Sequence, residues 1–482
     1  MSPISATAAL LATVVGLACG KSGASSATEP STLAAATGAG LSVLDYGARG
    51  DGVSPDTAAI QKAIDALPAG ATLHFPSGVY RIETDKGLRL KDGARLDLGD
   101  ATLVGPNVNG AQNRILEIQG ASNVVISGGT LVGSRAGSPG LGLGIFASDA
   151  ENLVIENVQL RDFYLDGILL TGNRGCRRVV VRDCVSQNNR RTGMAVVHAS
   201  DVRVERSTFT GSRGQSPESG VNCEPNAGES VRNVHFVGCT FSGNAGVGLY
   251  VHRGQGVGNA DVTVEDSVIE GNGYGIVASH LEGLLIQGNR VSSHPGKGRS
   301  GIVLGENTAR ASIVDNTLQD NHRGILTVEA AGLTIRGNTI VGLGATVGAG
   351  DDGHGIDCRG PQRSASAEPS VVAGNTVHSF PGSGLTTYLL SNLRLLDNVV
   401  EGTGRRGLHL RATSHSEVRG NDVSGTGLEA PGRYDGIELE QASSHNRIVA
   451  NRIRRGAAMR NPIGITRDCV GNQVLDNLVL PD

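Results

Sequence analysis

"DGILLTG" at 166–172 is followed by "TGMAVVH" at 192–198, "SGVNCEP" at 219–225, "VGLYVHR" at 247–253, "YGIVASH" at 274–280, "SGIVLGE" at 300–306 and, further on, "DGIELEQ" at 435–441. Each run sets a glycine before an apolar residue and then alternates. Thirteen such glycines (Gly144, Gly167, Gly193, Gly220, Gly248, Gly275, Gly301, Gly324, Gly355, Gly384, Gly407, Gly436 and Gly464) lie 23 to 31 residues apart, about 27 on average. That spacing is one coil of a solenoid.

A second marker falls between the glycines, a small or polar residue just ahead of a strand: Asn157, Cys184, Ser207, Cys239, Ser267, Asn289, Asn316, Asn338, Asn375, Asn398, Asn421, Asn451 and Asn477. Two markers at one period predict several short strands per coil, with turns where Asn and Gly accept left-handed backbone. A leucine-rich repeat would need a fixed leucine skeleton, which is absent. Glycine at 71 of 482 residues argues against a helical solenoid. With aromatics at only 3%, the interior falls to Val, Ile and Leu, the residues of buried parallel strands. The sequence therefore reads as all-β, a single-stranded right-handed parallel β-helix whose stacked asparagines can bond from coil to coil.

A repeat array grows lengthwise, so residues 41–482 read as one domain despite their length. Net charge is −4, with no basic cluster and no aromatic platform, which excludes nucleic acid as a partner. Residues 4–19, "ISATAALLATVVGLAC", have the length and apolarity of a signal segment, and 20–40 are small and polar like a tether. "GLAC" at 16–19 resembles a bacterial lipobox, so lipidation of Cys19 would be the membrane attachment. Export to the cell envelope or medium is the expectation. Oligomeric state is not legible. Cys184 and Cys239 share a column with Ser207 between them, two coils or about 9.6 Å apart, which a disulfide cannot bridge. Cys223 and Cys358 are expected as inward apolar fillers.

Residues 41–82 carry a further signal, "LSVLDYGARGDGVSPDTAAIQKAIDALPAGATLHFPSGVYRI". Ser54 and Pro55 are expected to open a helix whose Ile60, Ala63, Ile64 and Leu67 share a face that plugs the end of the solenoid. Through Asp45, Tyr46, Gly47, Gly50, Asp51, Gly52, Asp56, Thr57, Phe75, Pro76, Gly78 and Tyr80 this segment resembles the N-terminal part of the pectate-lyase-like superfamily. Rhamnogalacturonase-like and polygalacturonase-like hydrolases, alginate C5-epimerases and some phage tailspikes belong to that superfamily. The resemblance implies a β-helix with a short N-terminal capping helix and an acidic polysaccharide as partner. It says little about the reaction, because its members differ in chemistry.

The reaction is read from the outward residues. If the residue after each repeat glycine points inward, the second and fourth after it point outward. Chemistry then gathers in two patches separated by three bland coils. The first holds Asn222, Glu224, Tyr250 and His252, with Arg253 following and Tyr274 before the next repeat glycine. At about 4.8 Å per coil Glu224 should neighbour His252. Glu224 could fix the His252 tautomer, while His252 or Tyr takes an acidic proton beside a uronate carboxylate. Glu224, Tyr250, His252 and Tyr274 are the candidate catalytic residues.

The second patch is Asp357, Arg359, Tyr388, His409, Arg411, Glu438 and Glu440, read with Asn222 and Arg253 as substrate-binding. Arg359 and Arg411 suit carboxylates. Glu438 and Glu440, about 6.6 Å apart along a strand, could alternatively serve as the acid and base of a glycosidase. Asp351, Asp352 and His354 precede this patch.

Alginate C5-epimerases carry a Tyr-Gly-Phe-Asp-Pro-His run, approached here by "YGIVASH" and "YDGIELE"; polygalacturonases carry Asp-Asp and Gly-His-Gly motifs, approached by "DDGHG" at 351–355. No metal ligand set is evident and no cofactor is required, although outward carboxylates could hold calcium. The resulting expectation is a lyase or C5-epimerase acting on uronate-containing polysaccharide. The alternatives are a polygalacturonase-like hydrolase and a non-catalytic carbohydrate-binding solenoid.

Overall fold

The computed structural model describes residues 40–481 apart from 84–86, 106–112, 136–141, 255, 257, 295, 346–352 and 361–368. The expectations for 1–19, including Cys19, for most of the 20–40 tether and for Asp351 and Asp352 lie outside the described residues. The rest is a parallel β-helix with three strands per coil. One coil runs Asp166–Thr171, Cys176–Arg182, Val185–Gln187, and the next runs Thr192–Val196, Ala199–Glu205, Thr208–Thr210. The first strands of the coils form a 15-stranded sheet from Leu88–Leu90 to Ile463–Ile465, and the other two faces join in a second sheet.

Register is constant from coil to coil. Ile168 pairs with Met194, then Val221, Leu249, Ile276, Ile302, Ile325 and Ile356, one inward column in which no member is more than 1% exposed. A single slipped residue would turn that column to solvent, so burial itself enforces the register.

The repeat glycines have a different cause from the one expected. None from Gly144 to Gly464 adopts a positive φ. Instead, a Cβ on Gly167 would lie 2.6 Å from the carbonyl oxygen of Gly193, and on Gly193 2.6 Å from that of Gly220. The same clash with the next coil's equivalent glycine recurs at Gly275 (2.2 Å) and Gly324 (2.4 Å). Close approach of successive coils demands glycine here. The left-handed positions fall just before the asparagine column, at Asp183, Asp266, Gly288, Asp315, Gly337, Gly374, Asp397 and Gly420.

That column is a continuous buried ladder. Asn289, Asn316, Asn338, Asn375, Asn398, Asn421 and Asn451 each donate Nδ2–H to the Oδ1 of the next asparagine at 2.8–3.0 Å, ending on Asn477. Each also donates Nδ2–H to a backbone carbonyl such as Val264 O (2.8 Å, from Asn289). Asn157 is not part of it. Glu156 pairs with Arg182, so Asn157 takes the left-handed turn (φ 57°) and buried Val158 stands level with Cys184. Cys184, Cys223, Cys239 and Cys358 are buried free thiols; burial raises those of Cys223 and Cys358 to about 12.

The helix spans Thr57–Ala66, two residues later than expected, because Ser54 and Pro55 belong to the strand Asp51–Pro55. Ile60, Ala63, Ile64 and Leu67 are buried as read. Gln61 closes the edge of the first sheet strand: its Nε2 donates to Arg89 O (3.1 Å) and its Oε1 accepts from Arg89 N (2.9 Å). An otherwise open strand edge is thereby satisfied by a side chain.

A shorter ladder contains a histidine. His294 is fully buried, its Nδ1–H donates to Asn321 Oδ1 at 2.7 Å, and its Nε2 has no partner. Burial holds its pKa below the ordinary 6.5. In the unfolded chain the imidazole takes a proton near its ordinary pKa, whereas the folded site resists until lower pH. This contribution to stability is therefore complete above that value and lost as pH falls through the depressed one. We expect His294→Asn, which supplies an amide, to reduce the drop in thermal midpoint between about pH 7 and 5. Melting followed by circular dichroism at both pH values checks this; an unchanged drop would place the acid sensitivity elsewhere.

Candidate functional site

On the 15-stranded sheet Asn222 pairs with Tyr250 and Cys223 with Val251, which sets Glu224 one rung from His252. The contact forms: His252 Nε2 lies 3.7 Å from Glu224 Oε1, with the Glu224 side chain 41% exposed and that of His252 17%. Asn222 Nδ2 donates to Glu224 Oε2 at 2.9 Å, and its own Oδ1 is buried without a partner. Tyr250 stacks on His252 with ring centroids 4.1 Å apart.

Protonation corrects the assigned roles. Gly254 N–H donates to His252 Nδ1 (3.2 Å), so the neutral ring carries its proton on Nε2, facing Glu224. Burial holds His252 below its ordinary value, against the opposing pull of Glu224. His252 is thus a neutral donor, not a free base. Burial first and the Glu224 charge second push the Tyr250 phenol above its ordinary 10.0, so it too is protonated.

Tyr274 is not part of this cluster. It pairs with Val247, three residues before Tyr250, about 10 Å along the strand at the usual rise. Its ring instead carries the Arg299 guanidinium at 4.7 Å. His280, not singled out in the sequence, approaches His252 closely enough for its charge to oppose protonation there, and Arg253 acts likewise on His280.

The second patch forms four coils along the same sheet. Asp357, Thr386, His409 and Glu438 share one column, and Arg359, Tyr388, Arg411 and Glu440 the other. The columns differ in access: Asp357, His409 and Glu438 are 2%, 6% and 4% exposed. In this patch stacked neighbours cover the second position after the repeat glycine and leave the fourth open, so these three are supports rather than the surface groups expected. Arg359 binds Asp357 Oδ2 at 2.9 and 2.5 Å. His409 Nε2–H donates to Glu440 Oε1 (2.9 Å), which holds Glu440 below its ordinary carboxylate value while burial keeps His409 low. Glu438 pairs with Arg406, and with Arg460 at 3.1 Å. Arg411 stays open, its guanidinium 4.9 Å from the Tyr388 ring centroid and its Nε 3.6 Å from Glu440.

Sequence reasoning missed the buried clamps. Asp166, fully buried, takes Arg191 at 2.9 and 2.7 Å, and Asp435, also fully buried, takes Arg460 at 2.8 and 2.6 Å. A signal existed, since each aspartate precedes a repeat glycine and each arginine follows it by 25 residues. His354 Nδ1 accepts from Ser383 N at 2.9 Å, bonding to the neighbouring coil. Among the described residues no group of three His, Cys, Asp or Glu could hold a metal ion, and no helix is long and apolar enough to cross a membrane.

The molecule is a parallel β-helix bearing two ionisable clusters on one sheet. The chain belongs to the pectate-lyase-like family described as Rhamnogalacturonase A/epimerase, which matches residues 40–303, and a right-handed β-helix region matches 300–479. It is 25% identical over 434 residues to the uncharacterized protein YclG of Bacillus subtilis (strain 168), covering 78% of this chain and 66% of that one. To mannuronan C5-epimerase AlgE2 of Azotobacter vinelandii it is 30% identical over 270 residues, 51% of this chain and 25% of that one. The chain thus spans less than two thirds of either relative. Among solved structures, the catalytic unit of a GH87 alpha-1,3-glucanase from Streptomyces thermodiastaticus strain HF3-3 aligns with a TM-score of 0.50 at 16% identity, over 94% of this chain and 72% of that one. That likeness shows the fold alone.

Proposed function

We propose that this protein is a polysaccharide lyase acting on uronate residues of an acidic polymer, with Glu224 as proton acceptor. The observation that carries the reading is the Glu224 carboxylate facing the His252 Nε2–H at 3.7 Å on adjacent rungs of one sheet. Acceptor and donor lie on the same side of any sugar resting there. Glu224 would take the C5 proton, the C4–O4 bond would break, and His252 or Tyr250 would protonate the departing O4. The products are an unsaturated uronate and a new hydroxyl end. Arg253, beside His280, is placed to meet the uronate carboxylate, which lowers the barrier to losing the neighbouring proton.

The same-side geometry favours elimination over epimerisation, which returns a proton to the opposite face of the ring. Epimerisation is the second reading, favoured by the identity with AlgE2 over 270 residues. Hydrolysis fits less well. A glycosidase needs one carboxyl held protonated, and Glu438 is clamped between Arg406 and Arg460 while Glu440 is held low by His409.

Incubation with polygalacturonate and with alginate separates the readings. We expect ultraviolet absorbance from unsaturated ends. Deuterium uptake at C5 without cleavage would replace the lyase by an epimerase, and reducing ends without unsaturation would replace it by a hydrolase.

A further inference from the structure

On the turns that lead into the sheet strands Thr192–Val196 and Ser219–Cys223 there is a second polar cleft, of about 460 Å³, lined by Arg135, Asn188, Gly211 and Arg213. Its arginines are not spent on carboxylates. Arg135 donates to two backbone carbonyls, Asn188 O (2.9 Å) and Arg213 O (2.5 Å), and to the Asn188 amide oxygen. These neutral acceptors fix its position and leave its charge uncompensated. The exposed Arg213 guanidinium makes no hydrogen bond or ion pair with any described residue. Arg190, one coil below and beside Gly214, lies with its guanidinium 4.4 Å over the Tyr164 ring and has no carboxylate partner among the described residues.

Of the acids nearby, Asp162 is paired with a cation, while Glu218 keeps its charge and leaves the arginines in excess. Asp162 takes Arg161 at 2.9 Å and the Asn188 amide, and Glu218 accepts the Gly214 N–H at 2.7 Å. A concave site lined by two arginines, with Arg190 on its tyrosine ring beside Gly214, suits an anionic sugar. The planar fork of arginine matches a carboxylate, and an aromatic face packs against a pyranose ring. Arg191, next to Arg190, is held in the Asp166 clamp, and none of the residues lining the cleft belongs to the Glu224 cluster.

We infer that the Arg135–Arg190–Arg213 cleft is a remote uronate-binding subsite that anchors an acidic polysaccharide away from the reacting residue. The inference rests on the proposed action on uronate polymers. A sulfate ester would offer similar chemistry, so the test includes one.

Calorimetry with oligogalacturonate, alginate oligomers, chondroitin sulfate and neutral maltohexaose is run on the full chain and on Arg213→Ala, Arg190→Ala and Glu224→Gln. We expect uronate affinity to fall about tenfold in each arginine variant, the size of one charge-assisted pair. Glu224→Gln should bind as the parent does while losing turnover, and binding should weaken with added salt. Arginine variants that bind uronate like the parent would overturn the subsite while leaving the lyase reading intact. Arginine-dependent binding of chondroitin sulfate alone would overturn the uronate assignment. A parent that binds none of the anionic probes would overturn the subsite and the proposed function together. Unchanged melting curves for the arginine variants show that lost affinity is not lost folding.

Discussion

Replacing Glu224 with glutamine should lower the rate of unsaturated-product formation by about 10²–10⁴-fold, the usual contribution of a positioned acid or base. Glutamine keeps the shape and the oxygen that accepts from Asn222 (2.9 Å) but cannot hold a proton taken from carbon. Glu224 is partly exposed and its neighbours keep other partners, so the thermal midpoint should stay within about a degree or two, as for most surface substitutions. His252→Ala should cost less, because Tyr250, stacked 4.1 Å away, can also donate. Initial rates on mannuronate-rich alginate, in which H5 and O4 lie on the same face of the ring, read by ultraviolet absorbance, decide the matter. If Glu224→Gln turns over normally while Glu440→Gln is dead, the chemistry belongs to the second patch.

The largest effect on stability should come from the asparagine ladder. Asn338 accepts from Asn316 N (3.0 Å) and Asn316 Nδ2 (2.9 Å), and donates to Ile313 O (2.8 Å) and Asn375 Oδ1 (2.9 Å). Leucine at this position has the same branched skeleton with bulkier methyl groups, and leaves two donors and a carbonyl unpaired in a site closed to water. At about 1–3 kcal/mol per orphaned buried group, Asn338→Leu should destabilise by about 3–6 kcal/mol. Thr339→Leu next to it, whose side chain is exposed, should shift stability by no more than about 0.5 kcal/mol. Urea unfolding of the pair gives the contrast. A loss as small in Asn338→Leu as in the control would mean that water reaches the ladder.

The periodic features were readable in advance because backbone stacking alone determines them. Glycine spacing located the coils, the asparagine column located the ladder, and alternation placed Glu224 beside His252. The errors have local causes. Asn157 looks like the ladder residues yet stands one place early, since a turn accepts asparagine for its φ as readily as a ladder accepts it for its amide. Ser54 and Pro55 resemble a helix start but are claimed by strand pairing with Val79–Arg81. The exposure of Asp357, His409 and Glu438 could not be inferred from alternation. Whether an outward side chain meets water depends on what the rungs above and below lay over it. The donor role of His252 was likewise hidden, because it follows from one backbone N–H at Gly254.

Since every rung of the asparagine column offers the same donor to the coil above and the same acceptor to the coil below, the array is modular in a literal sense. Excising the segment between two consecutive asparagines, or duplicating it, would rejoin like ends and strand no amide, whatever the length of the loops in between. Gaps between functional groups on the flat face therefore change in increments of one layer, about 4.8 Å. Gain or loss of a whole coil between Asn289 and Asn338 would in this way retune the distance between the Glu224 cluster and the Glu440 patch without redesigning either.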